Sequence, residues 1–379
     1  MSRNNRSRRD RSRKVRYAVV GQGYFSQSAI LPAFAHAKHC ELVALFSDDD
    51  SKLRGLRRRY NVEHALAYDQ FDSFLASGAV DAVYIALPND MHAEYTLRAA
   101  RAGVHVLCEK PIATTSDEAE QMIAACARAG VKLMIAYRLH YEAANLSAIA
   151  ALARGDIGEP RLLSTSFSQQ VMPDNSRTHG AHAGGPLRDI GIYCINAARY
   201  LFRDEPLEVV ALSGTKARDA RFRDIAEQVS VLLRFPGDRL AQLSCSFGAY
   251  HQSSYTILGS KGVLRLRPAY AVHENLVLEI EAGGNTTRKL FKKRDQVAPE
   301  LDELAACIRD DRDPEASGRE GLADMRVIEA IEASLRRGGS SVAVHPVVKK
   351  RRPSLRQNRR APAHRRRPTL ISVQPPAEQ

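Results

Sequence analysis

The chain has 379 residues, of which 44% are hydrophobic, so it is longer than one core usually fills and two soluble domains are expected. No window approaches the roughly 18 consecutive apolar residues of a membrane span, and no apolar stretch follows the N-terminal arginines, which argues against an anchor or an export signal and predicts a cytoplasmic protein. The net charge of +13 is concentrated at the ends, with +7 in residues 1–16 and +9 in residues 349–379, leaving −3 for the body.

Residues 1–14 are therefore read as a basic, disordered arm: rich in Arg and Ser, they lack the apolar surface that would offset the entropy of ordering. Residues 15–20 form a β-rich apolar run that ends in "GQGYFS", followed by a helical stretch over 27–36. Gly21, Gly23 and Ser26 give GxGxxS between a strand and a helix. The first glycine permits the tight turn, the second lets the backbone approach a diphosphate, and the small third residue lets helix and strand pack closely. Gly21, Gly23, Tyr24 and Phe25 are thus candidate cofactor contacts. Residues 42–46 form a second strand, and 51–60 a helix with a basic face. At the end of that strand stands Ser47, where an acidic partner for an adenosine ribose is common. A serine removes repulsion against a 2′-phosphate, and Lys52, Arg54, Arg57 and Arg58 follow, which favours NADP; Asp48, next in sequence, would instead favour NAD.

Residues 82–85 form a third strand, ending in Leu87, Pro88 and Asn89, and His92 opens the helix 92–102, either facing the cofactor or capping the backbone. The strand 104–107 runs into Glu109, Lys110 and Pro111, followed by a helix over 116–129 and a strand over 133–135. Short continuous apolar runs separated by amphipathic helices mean parallel strands covered on both faces. This predicts a doubly wound α/β domain whose ligands sit at the carboxyl ends of the strands. A loop at that edge can place the Lys110 ammonium beside a nicotinamide and the reacting carbon, with Pro111 stiffening the backbone after it.

The second half reads differently. After a helix over 143–154, the segments 161–167, 208–212, 229–235, 240–247, 255–258 and 263–266 alternate as strands, mostly without helices between them, so an open, mainly antiparallel sheet is expected. Helices over 300–309 and 321–336 close the body. The six cysteines, at 40, 108, 126, 194, 245 and 307, form no CxxC pair, so reduced thiols and no metal are predicted. The tail, 347–379, is again basic and predicted disordered. Both arms are solubilising, with weak attraction to nucleic acid or anionic surfaces as the alternative.

The motifs "GQGYFS", "LPNDMHAE", "CEKPIATT", "IAYRLHY" and "GGPLRDIGIYCINAARYLF", in this order, resemble the Gfo/Idh/MocA oxidoreductases and, within them, the glucose–fructose oxidoreductase group. The resemblance spans residues 15–345. It implies a Rossmann domain over 15–138 that binds NAD(P), an α/β domain over 139–346 that binds substrate and forms a homo-oligomer through its sheet, and hydride transfer at a sugar or polyol carbon. It also implies Lys110, Asp189 and Tyr193 as the catalytic set, Glu109 and Arg138 beside the nicotinamide, and His140 and Asn196 near the substrate. A neighbouring ammonium would favour the tyrosinate and make Tyr193 a usable proton shuttle. The group's usual Trp-Arg pair is missing, since the chain has no tryptophan; in its place "NSRTHGAHA" offers Arg177, His179 or His182 to the substrate. The same fold can also carry a non-catalytic NAD(P)-binding sensor or a glycosidase that uses nicotinamide transiently.

Overall fold

The computed structural model describes residues 13–173, 175–216, 218–347, 351–359, 361–364 and 368–377. Of the N-terminal arm, 1–12 lie outside the described residues. Six strands, β1 (Val15–Val20), β2 (Cys40–Phe46), β3 (His64–Leu66), β4 (Ala82–Ile85), β5 (His105–Cys108) and β6 (Leu133–Ile135), form one sheet in the order β3-β2-β1-β4-β5-β6, with every pair parallel. The order reverses beside β1, so the carboxyl ends of β1 and β4 open a crevice between them. Helices α2 (Asp50–Tyr60), α4 (His92–Arg101) and α5 (Ser116–Ala129) cover the faces. Two of them begin on side-chain caps: the Asp49 and Thr115 oxygens accept the amides of Lys52 and Glu118.

The helix predicted over 27–36 is instead a π-turn, Ser26–Ile30, followed by the short α1 (Leu31–Ala33). Pro32 has no N–H to return to the preceding turn, so the regular ladder cannot run through it. β3 and α3 (Phe71–Ala76) escaped the sequence reading because each is too short for its period to be visible.

The second sheet has nine strands in the order β14-β13-β12-β11-β7-β10-β9-β8-β15. These are β7 (Pro160–Ser168), β8 (Glu208–Gly214), β9 (Gln228–Phe235), β10 (Arg239–Ser246), β11 (Gln252–Gly259), β12 (Gly262–Arg267), β13 (Leu276–Ala282), β14 (Asn285–Phe291) and β15 (Val342–Ala343). All neighbours are antiparallel except β7 and β10. Alternation is clean in β9, where Val229, Val231, Leu233 and Phe235 are buried and the residues between them exposed. α6 (Ala143–Arg154), α7 (Ile192–Phe202) and α9 (Gly318–Arg336) cover the inner face. β14 was not predicted: six of its seven residues are exposed, so it carries no apolar alternation to read.

α8 (Ala298–Arg309) crosses back to the first sheet, where the Tyr17 hydroxyl donates to the Leu301 carbonyl at 3.1 Å. The described parts of the tail also differ from the disorder expected of them. Arg352 pairs with Glu205, Arg359 with Glu303, and Gln357 donates to Glu315. A basic segment beside a body of net −3 finds acidic partners there, and these offset part of its ordering entropy. No helix among the described residues is long and apolar enough to cross a membrane.

Candidate active site

The β1–α1 turn is built around Gly21, whose φ is +95° and whose amide donates to the Phe46 carbonyl at 3.1 Å. A Cβ there would lie 2.4 Å from the Ala86 carbonyl oxygen, so only glycine lets the turn pass this close to the end of β4. The Ser26 hydroxyl ties the turn back to the Gly21 carbonyl at 2.7 Å. Gly23, by contrast, faces open space, with nothing within 4 Å of where a Cβ would stand. A tight turn with an open glycine at the crevice fits the diphosphate of a dinucleotide, and Tyr24 and Phe25, both half-buried, flank it.

At the end of β2, Ser47 is buried and its hydroxyl accepts the Asp49 amide at 3.2 Å, while Asp48 is exposed. Lys52 stands one turn into α2, its ammonium 3.7 Å from Asp49. Arg57 and Arg58 are in the last turn of α2, roughly 8–9 Å further along at 1.5 Å per residue. Of the basic residues predicted near the ribose, Lys52 is the one near the strand end, with Arg54 exposed beyond it.

Leu87 is buried, Pro88 exposed and Asn89 half-buried at the end of β4. Asn89 donates to the Ala183 carbonyl at 3.0 Å, and His182 lies 3.2 Å from Asp90, so this loop meets the 176–183 segment of the second domain. His179 is exposed. His92 sits beneath the loop, fully buried, with Nδ1 2.8 Å from the Pro111 carbonyl and Nε2 3.0 Å from that of Leu87. Burial outweighs these two carbonyls and lowers its pKa. The expectation that His92 contacts the cofactor does not fit: it has no exposed surface, and it ties the two loops together instead.

β5 delivers Lys110 to the same edge. Its ammonium donates to the Asp189 carbonyl at 2.6 Å, lies 3.4 Å from the Asp189 carboxylate and stands 4.7 Å from the centre of the Tyr193 ring. Arg177 holds the other carboxylate oxygen at 3.0 Å. Burial would raise the Asp189 pKa, but Arg177 and Lys110 together outweigh it and hold the carboxyl below its usual range. For Lys110 the burial penalty, which lowers, is outweighed by Tyr193, Asp189 and Glu109, so the ammonium is held above its usual value. Glu109 accepts the Tyr84 hydroxyl at 2.8 Å, and burial lifts its carboxyl despite the nearby Lys110. Sequence positions 110, 177, 189 and 193 thus form one cluster.

Arg138 reaches this cluster from below: its guanidinium carbon is 4.9 Å from the Tyr193 ring centre, while its terminal nitrogens donate to Gln296 and to the Tyr270 carbonyl, both at 2.5 Å. It is buried, so it supports the Tyr193 ring instead of presenting a free guanidinium. His140 and Asn196 are corrected outright. His140 is fully buried between Glu315 at 2.7 Å and the Asn196 side-chain oxygen at 2.8 Å. The Asn196 amide in turn donates to Glu320 at 2.7 Å and Asp324 at 3.1 Å. Every polar atom of these two side chains is spent on the interior network, which leaves nothing for a substrate.

Sequence reasoning missed Phe167, Tyr270 and Gln296. Phe167 and Tyr270 pack on Tyr193 with ring centres 5.7 and 6.0 Å away, and fix its orientation. Phe167 could have been found from the inward parity of β7; Tyr270 and Gln296 lie in connecting segments with no period to expose them.

Residues 15–137 match a family model described as an oxidoreductase family with an NAD-binding Rossmann fold, and residues 146–265 match the GFO/IDH/MocA C-terminal domain. The chain is similar to D-xylose 1-dehydrogenase [NADP(+)] of Haloarcula marismortui, at 34% identity over 84% of this chain and 91% of the relative. Among solved structures, aldose-aldose oxidoreductase from Caulobacter crescentus, complexed with glycerol, is 37% identical, with a TM-score of 0.83 over 88% of this chain and 100% of that one. A 3-ketoreductase from Actinomadura kijaniata, in complex with NADP and TDP-benzene, is 28% identical, with a TM-score of 0.77 over 85% and 98%.

Proposed function

The chain belongs to the Gfo/Idh/MocA oxidoreductase family, and from that premise we propose that it interconverts a hydroxyl and a carbonyl group on a sugar or polyol with NADP as the preferred cofactor. The observation that carries this reading is the Lys110 ammonium, held on Asp189 and set over the Tyr193 ring at the carboxyl edge of the first sheet. Gly21, Gly23, Tyr24 and Phe25 would hold the cofactor's diphosphate, Ser47 and Lys52 its adenosine ribose, and Leu87, Pro88, Asn89 and Glu109 the nicotinamide side. When bound, the nicotinamide supplies or accepts the hydride.

The chain's own residues handle the proton and the geometry. Tyr193 exchanges a proton with the reacting oxygen, and the Lys110 ammonium stabilises negative charge on the phenol and on that oxygen. Asp189 fixes the ammonium, and Arg177 fixes Asp189 and fronts the substrate. Phe167 and Tyr270 keep the Tyr193 ring from rotating away. Uncharged Ser47 and cationic Lys52 tolerate a 2′-phosphate, in keeping with the NADP named for the xylose dehydrogenase.

A screen of aldoses, ketoses, anhydrosugars and inositols with NADP and NAD, followed by nicotinamide absorbance in both directions, tests the proposal. Sugar-dependent cofactor turnover supports it. Cofactor binding with no turnover on any of them overturns it in favour of a sensor. The proposed self-association surface is the outer face of the nine-stranded sheet, where Leu162, Leu258, Val210 and Leu232 are exposed on facing strands.

A further inference from the structure

Three segments far apart in sequence converge at His36, just beyond α1, at Asp295, just before α8, and at His364 in the tail. His36 Nδ1 and His364 Nε2 lie 2.9 and 3.0 Å from the same oxygen, Asp295 Oδ2. The two imidazoles stack, with ring centres 4.5 Å apart and planes 20° from parallel. The Asp295 side chain is 2% exposed, and its other oxygen is occupied by the amides of Val297 and Ala298 at 2.9 and 3.0 Å. Oδ2 is therefore reserved for the two histidines, whose side chains are 19% and 21% exposed.

We propose that His36, Asp295 and His364 form a binding site for Zn²⁺ or a neighbouring first-row divalent ion, and that the ion fastens the C-terminal tail to the first helix. The donor atoms all lie within 4.8 Å of one another, the one such His/Cys/Asp/Glu cluster among the described residues. A tetrahedral ion about 2.0–2.1 Å from each donor needs donor separations of about 3.3 Å, so the two nitrogen–carboxylate distances of 2.9 and 3.0 Å would open slightly, and seating the ion requires the two stacked rings to tilt until both nitrogens face it. Two imidazole nitrogens and one carboxylate oxygen suit zinc and its neighbours rather than calcium or magnesium, which prefer an all-oxygen shell. The exposed edges of the two histidines leave the fourth position to water.

The site has a mechanical consequence. Beyond His364 the tail exchanges hydrogen bonds with Gln27, whose side chain accepts the Ile371 amide at 2.8 Å and donates to its carbonyl at 2.9 Å. It then reaches the second domain, where the Met172 amide donates to the Pro376 carbonyl at 2.9 Å. An ion at His364 therefore fixes the start of a segment that touches both domains.

The test is zinc titration of the full chain, freed of any affinity tag and stripped by chelator, alongside His36→Ala, His364→Ala and Asp295→Asn. His364 lies in the tail, so its replacement spares the body, and the asparagine retains an oxygen for the α8 amides. The parent is expected to take up one ion, and each variant to bind it about 10-fold or more weakly. Cobalt should give the intense visible bands of a four-coordinate ion in the parent alone. Zinc should slow tryptic cleavage of the tail in the parent and not in His364→Ala. No uptake by the parent, or uptake by the variants as tight as the parent's, overturns the proposal.

Discussion

Asp189 pairs with two cations, Arg177 and Lys110, and this holds its own carboxyl and the Lys110 ammonium in their charged forms. Its carboxyl is held below the usual value and the Lys110 ammonium above it. The contribution of Asp189 is complete above its unfolded value of about 3.9 and is lost as pH falls through its lower folded value. That of Lys110 is complete below its unfolded value of about 10.4 and is lost as pH rises through the higher folded one. The pair therefore stays ionised across the neutral range. Arg177→Gln removes the larger of the two cationic influences on Asp189, so the acid-side loss of kcat/KM should move to higher pH in a pH–rate profile. An unmoved limb would detach Arg177 from the site. Lys110→Met and Tyr193→Phe should each lower kcat by about 10²-fold or more, with cofactor affinity by calorimetry largely retained, since each removes a proton-handling group and not a diphosphate contact. Near-normal turnover in either would refute its role.

Among elements, the β1–α1 turn leaves its first glycine no room for a side chain. Gly21→Ala combines a left-handed φ with a 2.4 Å approach to backbone that cannot swing away. The strain should cost about 1–3 kcal/mol before any rearrangement. A lower midpoint in urea together with lost cofactor binding is expected, and an alanine variant of parental stability would contradict it. The sheet elements show the opposite tolerance: β14, exposed along nearly its whole length, can vary freely on its solvent face.

Across the whole molecule, a buried cation ties together α7 and α9, two helices of the second domain. Arg199, fully buried, pairs with Glu205 at 2.6 Å, Glu320 at 2.9 Å and Asp324 at 2.5 Å. Burial raises the Asp324 carboxyl even against Arg199. Arg199→Met would leave these carboxylates without their shared partner, at a cost of about 3–5 kcal/mol in chemical denaturation. The deficit should shrink at acid pH, because the carboxylates that have lost Arg199 then bind protons in the folded state. For the outer sheet face, Leu232→Lys should shift the mass measured by light scattering towards a monomer. A parental mass would move the association surface elsewhere.

The two-sheet plan, the crevice at the carboxyl edge and the place of Lys110 at that edge were legible because each rests on local pattern. Strand runs without polar residues have to be covered on both faces, and a glycine turn between strand and helix has few other uses. Asp189 and Tyr193 were grouped with Lys110 only through the family resemblance, and Arg177 was offered to the substrate, not to Asp189; the contacts among them arise where the second domain folds against the first. The sequence by itself determined which chemistry-bearing side chains exist and on which edge the Rossmann half would display its own. Only the tertiary structure decided which of them meet: it turned His92, His140 and Asn196 inward, stacked Tyr270 on Tyr193, and joined His36 to His364. Burial and long-range contact follow from how separate elements pack, and no local period encodes them.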